Sequence, residues 1–592
     1  MQYILEKAKL ELIKILSPYI PESDIEIRNP PENIKADFAV PLFSFAKKQK
    51  LNPINLTEEL LKKVKLEDTI FSQIEAKGGF LNFTFNPVKF SQAVFTNFQE
   101  LEEKYGSSEE GKAKTIVIDY SSPNIAKPFS VGHLRSTIIG HALCNIFSFM
   151  GYTVIGDNHI GDWGTQFGKL MFEFNNSGDK NVIDANPIEE LLKLYVKFHE
   201  EAKKNPSLEE HGRAWFKKLE NGDPEATELW KWFSQISWKE FQRIYDMLDV
   251  KFDEVLGESF YNDKLQDIIK EAFDKGLATW GEALPDEVES ADDITKQSEQ
   301  SESKKEIVAL IRLDDYGIST PLLIQKSDGA SLYATRDLAT AKDRINRRRP
   351  VEIIYVVGGE QQLYFKQWFK VMELMGYKET KFSHVWFGLV RLPEGRMATR
   401  EGRVIFLEDV LNEAINRAKI CIQDRNLNDR EKEEISKIVG IGAVKYADLS
   451  QNRIKDIVFD WDKALNMHGD SGPYLQYAYV RMQSILRKSG QDIDFNLVDS
   501  SLLTKELEVN LIKAIAQFPE IIKIAAKFYQ PNLIASYLFS LAQSFNSFYK
   551  VSPVLRAESE ELKNTRLYLC KMTGIILRNG LGLLGIQCPE KM

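Results

Sequence analysis

Residues 120–137 read Tyr120-Ser-Ser-Pro-Asn-Ile-Ala-Lys-Pro-Phe-Ser-Val-Gly-His-Leu-Arg-Ser-Thr137, and this stretch decides the fold. The apolar, β-branched run Thr115–Asp119 precedes it and predicts a buried parallel strand. Apolar residues at helical spacing follow and predict a helix with one buried face: Leu134, Ile138, Ile139, Ala142, Leu143, Ile146 and Phe147. A strand, a polar loop and a helix in this order are typical of a nucleotide site at the strand's carboxyl end.

Two residues of the loop suit a phosphate ligand. Gly132 lets the backbone approach a ligand closely, and His133 can donate to a phosphate oxygen from the first helical turn. The helix N-terminus adds unpaired N–H groups and a partial positive charge. We refer to residues 120–137 as the signature stretch.

The composition limits the class of protein. A length of 592 residues predicts several domains, at roughly 150 residues each. No apolar run approaches the ~18 residues of a membrane span, and the acidic, amphipathic N-terminus does not read as a signal peptide. Four scattered cysteines fit the cytoplasm and argue against a structural zinc, so no protein-bound metal is expected. The net charge of −9 does not exclude RNA binding, which depends on local basic patches such as Lys342–Arg349.

The pattern along the chain predicts an α+β unit over residues 1–110, with a strand at Phe80–Phe85. Residues 111–405 read as a Rossmann-like α/β domain with a parallel sheet and crossover helices. Its predicted strands are Thr115–Asp119, Thr153–Asp157, Ile307–Arg312, Val351–Val357 and Val385–Val390. A mainly helical insertion is expected at about 175–300, and the polar, low-complexity residues 286–305 read as an exposed loop.

The rest of the chain is predicted to be helical, as a connector over residues 406–465 and an all-α bundle over 466–592. Amphipathic spacing predicts helices at Leu407–Cys421, Glu431–Ala447, Pro473–Ser489, Lys505–Phe528, Pro531–Tyr549 and Glu560–Asn579.

A second loop, Leu392–Arg403, combines three arginines with two glycines. Beside a nucleotide site, a mobile basic loop of this kind could clamp the pyrophosphate end of ATP as charge shifts in the transition state. On its own this is a weak signal, because basic surface loops are common.

Together the two loops resemble the paired signatures of class I aminoacyl-tRNA synthetases. Ser130-Val-Gly-His133 resembles the HIGH motif, and Arg396-Met-Ala-Thr-Arg400 resembles KMSKS. The wording around the motifs is similar to arginyl-tRNA synthetases specifically. It includes the signature stretch, Gly161-Asp-Trp-Gly-Thr-Gln-Phe-Gly168, Tyr333-Ala-Thr-Arg-Asp337 and Gly472-Pro-Tyr-Leu-Gln-Tyr-Ala478.

The resemblance implies an arginine–tRNA ligase that uses ATP with Mg²⁺. The arginine carboxylate attacks the α-phosphate of ATP, and the resulting adenylate is transferred to the terminal ribose of tRNA(Arg). By the same resemblance, arginine is held by Ser122, Asn124, His133, Tyr333, Asp337 and Gln361. ATP is held by Lys127, Ser130, Gly132, His133 and Met397, and the catalytic groups are Lys127, His133, Arg396 and Arg400. Tyr333 and Asp337 are four positions apart and so share one helical face, which suits recognition of a planar guanidinium.

For tRNA, the resemblance implies an N-terminal domain that contacts the outer corner through Phe80 and Asn82. The C-terminal bundle resembles an anticodon-binding domain, with candidate contacts at Tyr474, Gln476, Tyr477, Arg481, Asn546 and Tyr549. A monomer is the expected state.

Two departures from the family pattern leave an alternative open. Ser130 stands where HIGH begins with histidine, and Thr399 stands where KMSKS has its second lysine. Lys127, three residues before Ser130, is our candidate to compensate. The departures motivate the alternative of a catalytically silent tRNA-binding paralogue. A class I enzyme for cysteine is disfavoured, because it needs a set of zinc-binding cysteines that this chain lacks.

Overall fold

The computed structural model describes residues 2–31, 33–127, 129–283, 306–391, 406–423 and 427–592. The predicted loop at 286–305 and the arginine-rich residues 392–403 lie outside these ranges. In the described ranges, no helix combines the length and apolarity that crossing a bilayer requires.

The N-terminal unit is a three-stranded antiparallel sheet covered by helices. The strands, in spatial order, are Phe38–Pro41, Phe80–Phe85 and Phe71–Lys77. The helices are Ile4–Leu16, Phe43–Gln49, Pro53–Lys63 and Pro87–Leu101. Two helices begin at Asn-Pro pairs, where the Asn52 and Asn86 side chains accept hydrogen bonds from the first free N–H groups. The strand at Phe80–Phe85 has the predicted bounds.

A five-stranded parallel sheet forms the centre of the next unit. Its spatial order is Lys381–His384, Glu352–Tyr355, Thr115–Asp119, Thr153–Asn158 and Glu254–Val255. Residues 120–130 of the signature stretch form a loop, here called the signature loop. The predicted helix that follows, the signature helix, runs over Val131–Phe149. It lies so close to the sheet that a Cβ on Gly140 would come within 2.3 Å of the Tyr120 side chain. The predicted parallel sheet is therefore confirmed.

Two of the predicted strands do not belong to the parallel sheet. Residues Glu306–Leu313 form the middle strand of a separate antiparallel sheet with Ala278–Ala283 and Ile318–Lys326. A tight turn that ends at Gly317 (φ +73°) joins Glu306–Leu313 to Ile318–Lys326. Strands joined by so short a turn are antiparallel, because parallel strands need a longer crossover connection. Residues 385–390 mostly lie beyond the sheet strand Lys381–His384, and Val390–Arg391 pairs with Ile457–Val458 instead.

The insertion is helical, as predicted, until the chain returns to the sheet at Glu254–Val255. Its helices are Thr165–Ser177, Lys180–Ala185, Pro187–Lys204, Leu208–Glu220 and Pro224–Met247. The 3₁₀ segment Glu258–Lys264 and the helix Leu265–Asp274 then lead into the antiparallel sheet. The remaining helices of this unit are Tyr333–Arg348 and Gln362–Leu374.

The C-terminal third is a helical bundle close to the predicted one. Its helices are Leu407–Cys421, Asp429–Leu449, Trp461–Ala464, Gly472–Lys488, Glu506–Phe528, Asn532–Val551 and Glu560–Leu583. The helix Asp429–Leu449 contacts the signature helix through the buried ion pair between Asp448 and Arg135, whose atoms are 2.9 Å apart. The bundle also contacts the N-terminal unit, where Lys513 pairs with Asp37 at 2.5 Å.

One buried arginine ties the centre of the molecule together. Asp119 and Asp157 lie side by side near the carboxyl ends of two neighbouring strands. Arg344, from the helix Tyr333–Arg348, donates to Asp119 Oδ2 at 2.7 Å and to Asp157 Oδ2 at 2.9 Å. All three side chains are at least nine-tenths buried. We call this group the carboxylate–arginine triad.

Replacing Arg344 with methionine would leave two buried carboxylates without their counter-charge. We expect the substitution to cost about 3–5 kcal/mol of unfolding free energy, because removing one partner of a buried ion pair exposes the desolvation penalty of the other. Arg348→Met is the matched control, since Arg348 is 41% exposed and pairs with Glu254 near the surface. It should cost less than about 1 kcal/mol. Urea unfolding followed by tryptophan fluorescence measures both, and equal shifts would contradict the assigned role.

Candidate active site

The signature loop is held in an unusual backbone conformation. Ser121, Ser122 and Ala126 all have positive φ angles, of +73°, +47° and +60°. Residues other than glycine rarely adopt such angles, and they persist where surrounding contacts over-determine them. Strain of this kind is common at binding sites, so the loop is a strong candidate for one.

Hydrogen bonds from three elements fix this loop. Ser122 Oγ donates to Asp119 Oδ1 at 2.9 Å, and the Ser122 N–H donates to Asn158 Oδ1 at 3.1 Å. Asn158 in turn donates to Tyr245 Oη at 2.9 Å, and this hydroxyl lies 2.8 Å from Ser121 Oγ. The insertion helix Pro224–Met247, which carries Tyr245, therefore supports the loop from the far side.

His133 and Ser130 form the helix start. The Ser130 N–H donates to His133 Nδ1 at 3.1 Å, and the His133 N–H donates to the Ser130 carbonyl at 3.0 Å. Burial lowers the pKa of His133 to about 4, and the nearby Lys127 charge acts in the same direction. The ring is therefore neutral at pH 7, with Nδ1 accepting and the proton on Nε2. This places a neutral N–H donor at the N-terminus of the signature helix.

Lys127 lies in the loop itself and is half-buried. Its backbone N–H donates to the Asn124 carbonyl at 3.3 Å, which curls the loop into a turn. Within the described ranges its ammonium forms no ion pair with a carboxylate. A half-buried cation of this kind, near enough to His133 to act on its pKa, is well placed for an anionic ligand.

The segment Gly161–Gly168, whose sequence is similar to arginyl-tRNA synthetases, packs directly on the signature loop. Asn124 pairs with Gly161 in a short parallel bridge, and a Cβ on Gly161 would come within 2.0 Å of Asn124 Oδ1. The next residue, Asp162, accepts from the Ser259 N–H at 2.8 Å and from Ser259 Oγ at 2.6 Å. The motif thus fixes both the loop at Asn124 and the turn that carries Glu258.

Acidic side chains gather beside this loop. Burial raises the pKa of Glu258 to about 7; Asp162 and Asp337 act in the same direction, while Arg336 and His159 oppose them. Burial also raises the pKa of Asp337, and Tyr364, whose hydroxyl donates to Asp337 Oδ2, holds it down. With Asp119 of the triad nearby, these carboxylates form an acidic pocket that suits a cation.

The predicted arginine-binding residues come from separate elements that side-chain hydrogen bonds join. Ser122 and Asn124 come from the signature loop, and Tyr333 and Asp337 begin the helix Tyr333–Arg348. Gln361 ends the 3₁₀ turn Gly359–Gln361, which leads straight into the helix carrying Tyr364. The bonds of Asp119 to Ser122 and Arg344, and of Asp337 to Tyr364, connect all four elements.

The two predicted nucleotide loops meet at their described edges. Phe406, the first described residue after the second loop, forms a bridge with Ser130. The Leu407 N–H donates to the Phe129 carbonyl at 2.9 Å. The first described residues after the second loop therefore lie beside the start of the signature helix. Its own predicted residues, Arg396, Met397 and Arg400, and the substituted Thr399, lie outside the described residues.

The structure divides the predicted N-terminal RNA contacts. Phe80 is half-buried, with its ring 5.1 Å from that of Phe43, which is 46% exposed. Asn82 is 3% exposed and lies inside the sheet between Ala39 and Glu75. A base can reach the aromatic pair in this conformation, but it cannot reach Asn82.

Four predicted anticodon contacts form one connected surface. Asn546 donates to Tyr474 Oη at 2.9 Å, and Arg481 donates to Asn546 Oδ1 at 3.1 Å. The Arg481 guanidinium lies 4.8 Å from the centre of the Tyr549 ring. We call these four residues the aromatic–amide surface. Tyr477 lies on the same helix and is half-buried.

Gln476 requires a correction. It is fully buried, and its amide donates to the carbonyls of Ile438 at 3.2 Å and Gln587 at 2.8 Å. The structure argues against the predicted RNA contact, because the Gln476 side chain faces the interior of the bundle and joins three of its segments.

Sequence reasoning missed Glu258, Tyr364 and the carboxylate–arginine triad. Tyr364 had a local signal, since it follows Gln361 by three residues and so lies one helical turn beyond it. Glu258 had no such signal, because it lies in an irregular turn and meets the pocket only through tertiary contacts.

Comparison with known proteins agrees over the whole chain. The family model described as tRNA synthetases class I (R), catalytic domain, matches residues 96–461. The DALR anticodon binding domain matches residues 475–592, and the arginyl tRNA synthetase N terminal domain matches residues 3–85. The arginine–tRNA ligase of Halothermothrix orenii is 44% identical over 590 residues, covering 99% of each chain. The arginine–tRNA ligase of Clostridioides difficile is 43% identical over 583 residues, covering 98% of each.

Solved structures show the same fold. The arginyl-tRNA synthetase of Plasmodium falciparum superposes with a TM-score of 0.80 at 25% identity, covering 100% of both chains. That of Thermus thermophilus has a TM-score of 0.79 at 24% identity, again over 100% of both, and supports the fold alone. The full-length matches to relatives well above 30% identity settle the family: the chain belongs to the arginyl-tRNA synthetases of class I.

Proposed function

We propose that the protein joins L-arginine to tRNA(Arg) in two steps, using ATP. The observation that carries the proposal is the meeting of a strained nucleotide loop with an acidic pocket at one edge of the parallel sheet. A ligand that combines a cation with a carboxylate to be activated fits this pair of sites. The family supplies the identity of that ligand, since the curated relatives are arginine–tRNA ligases.

The acidic pocket is proposed to bind the guanidinium. Asp337 and Glu258 supply negative charge, Tyr333 and Gln361 supply polar contacts, and the planar fork of the guanidinium matches carboxylate oxygens. A bound cation would favour the ionised form of Glu258, whose pKa is raised to about 7 by burial in the free protein. Arginine binding near neutral pH should therefore displace a proton from this group.

The signature loop is proposed to hold the reacting ends. Ser122 and Asn124 position the amino and carboxylate groups of arginine, with His133 close to both substrates. Gly132, Ser130 and the neutral N–H of His133 face the ATP phosphates at the helix N-terminus. The arginine carboxylate oxygen attacks the α-phosphorus, the bond to pyrophosphate breaks, and positioned donors stabilise the charge that moves.

Cationic groups are proposed to stabilise the departing pyrophosphate. Lys127 is the described one, and Arg396, Arg400 and the backbone near Met397 would join it from the second loop. No cluster of three acidic, histidine or cysteine side chains suited to a metal occurs in the described ranges, so Mg²⁺ would arrive on the ATP phosphates. Bound there, it would offset phosphate charge.

In the second step the terminal ribose hydroxyl of tRNA attacks the arginyl carbonyl, and AMP leaves. We propose that Phe80, beside Phe43, contacts the outer corner of the tRNA. The aromatic–amide surface and Tyr477 are proposed to bind unstacked anticodon bases. Such bases can stack on tyrosine rings and form hydrogen bonds with a side-chain amide. The work would be divided among residues 1–110, 111–405 and 466–592, with 406–465 as connector, in a cytoplasmic monomer.

The alternative, a catalytically silent tRNA-binding paralogue, has less support. The Ser130 side chain also takes part in the helix start, because its Oγ lies 3.3 Å from His133 Nδ1. The acidic pocket is also intact among the described residues, and a protein that only binds tRNA has no need of it.

A charging assay tests the proposal directly. The purified full chain is incubated with ATP, Mg²⁺, total tRNA and one labelled amino acid at a time. We expect arginine to become attached to tRNA, while cysteine and lysine do not. Binding of tRNA without attachment of any amino acid would support the silent paralogue and overturn the proposal.

Lys127→Ala tests the proposed compensation for the missing motif residues. Loss of this cation should lower the rate of ATP–pyrophosphate exchange, measured with tRNA present, by about 10²-fold. Arginine binding should be nearly unchanged, because the acidic pocket does not include Lys127. Lys112→Ala, at a side chain 75% exposed, is the control and should exchange normally. An unchanged exchange rate in Lys127→Ala would reject the compensating role.

A further inference from the structure

Tyr364 holds the carboxylate at the centre of the acidic pocket. Its hydroxyl donates to Asp337 Oδ2 across two helices, Tyr333–Arg348 and Gln362–Leu374. The bond engages one of the two carboxylate oxygens.

The hydroxyl is a permanent donor. Burial and the Asp337 charge raise the pKa of Tyr364 well above its usual value, so the proton stays on the tyrosine throughout the working pH range. The hydroxyl is therefore available to donate to the Asp337 carboxylate. The interaction is charge-assisted and stronger than a bond between two neutral groups.

The geometry of the pocket makes orientation important. The terminal torsion of aspartate is broad, so the carboxylate plane is poorly defined without a partner. The planar fork of a guanidinium requires a fixed acceptor plane, whereas a compact ammonium does not. The helix that carries Asp337 is itself anchored by Arg344 in the carboxylate–arginine triad and by Thr335, whose hydroxyl donates to the Ile324 carbonyl.

The surroundings of Asp337, and above all its burial, oppose its ionisation. Burial is the largest effect and raises the pKa of Asp337; Asp119 adds to it, and His159 and Arg344 act against it. Glu258 also interacts with Asp337, and Tyr333 and Tyr355 lie near Tyr364. Against burial and the neighbouring acids, the Tyr364 hydrogen bond favours the charged form.

We propose that Tyr364 is a positioning residue that keeps Asp337 ionised and in one plane, and so sets the affinity for the arginine side chain. This inference rests on the proposed function. Tyr364 touches no reacting atom; it acts through Asp337 on substrate binding and leaves the chemical step alone.

Tyr364→Phe tests the inference by removing one oxygen. The KM for arginine should rise about tenfold, with kcat and the KM for ATP nearly unchanged, because a charge-assisted hydrogen bond acts only on the side-chain pocket. Without the donor, the pKa of Asp337 rises, so the acid limb of kcat/KM for arginine should move to higher pH. Tyr261→Phe is the control, since Tyr261 is fully buried and its hydroxyl has no partner within the described ranges.

A double-variant cycle separates positioning from general damage. If Tyr364 acts through Asp337, adding Tyr364→Phe to Asp337→Asn should change arginine binding, measured by calorimetry, no further. An additive effect would overturn the inference. An unchanged acid limb, or a rise in KM no larger than in Tyr261→Phe, would overturn it as well. Wild-type charging of arginine is measured in parallel, so a failure of the proposed function itself is seen separately.

Discussion

The candidate site depends on the charge of Arg344. Two carboxylates, Asp119 and Asp157, lie side by side near the ends of parallel strands. Burial raises the pKa of Asp157, the neighbouring Asp119 charge adds to this effect, and Arg344 opposes it. A single guanidinium bonds to both and offsets part of their charge. It comes from the helix that begins with Tyr333 and Asp337, so one interaction fixes two strand ends and the helix proposed to bind arginine relative to each other.

This frame explains how the signature loop tolerates its strain. Asp119 holds Ser122, and Asn158, just after Asp157 on the next strand, holds the Ser122 N–H. Tyr245, from the insertion, contacts Ser121, and Gly161, from the segment Gly161–Gly168, pairs with Asn124. Three left-handed residues cost energy, and the surrounding bonds offset it, so the loop is already shaped before any substrate arrives.

The sequence was most informative where structure is local. Helix Leu407–Cys421 and strand Phe80–Phe85 have the predicted bounds, because their periodicity depends only on neighbouring residues. The run at 307–312 was assigned to the wrong sheet, since an apolar strand does not reveal its partner. Gln476 was misread for a related reason: the motif gave its position but not the face of the helix on which it lies.

The acidic pocket shows the same limit. Asp337 was found through a motif, whereas Glu258 lies in a turn that no spacing connects to the site. Arg344 stood in the basic run Lys342–Arg349, which gave no sign that this side chain is buried against Asp119. Their roles arise from burial and charge, which only the folded chain determines. The family match gives the substrate a name, and we propose that the acidic pocket recognises its side chain.

The central claim is that this pocket selects its ligand by charge. Calorimetric titration of the full chain with arginine and with citrulline, which has the same shape but an uncharged urea group, tests it most directly. We expect measurable binding of arginine and binding of citrulline at least about 10²-fold weaker, because buried carboxylates would then face a neutral group. Citrulline affinity within about tenfold of that for arginine would show that the pocket does not select by charge.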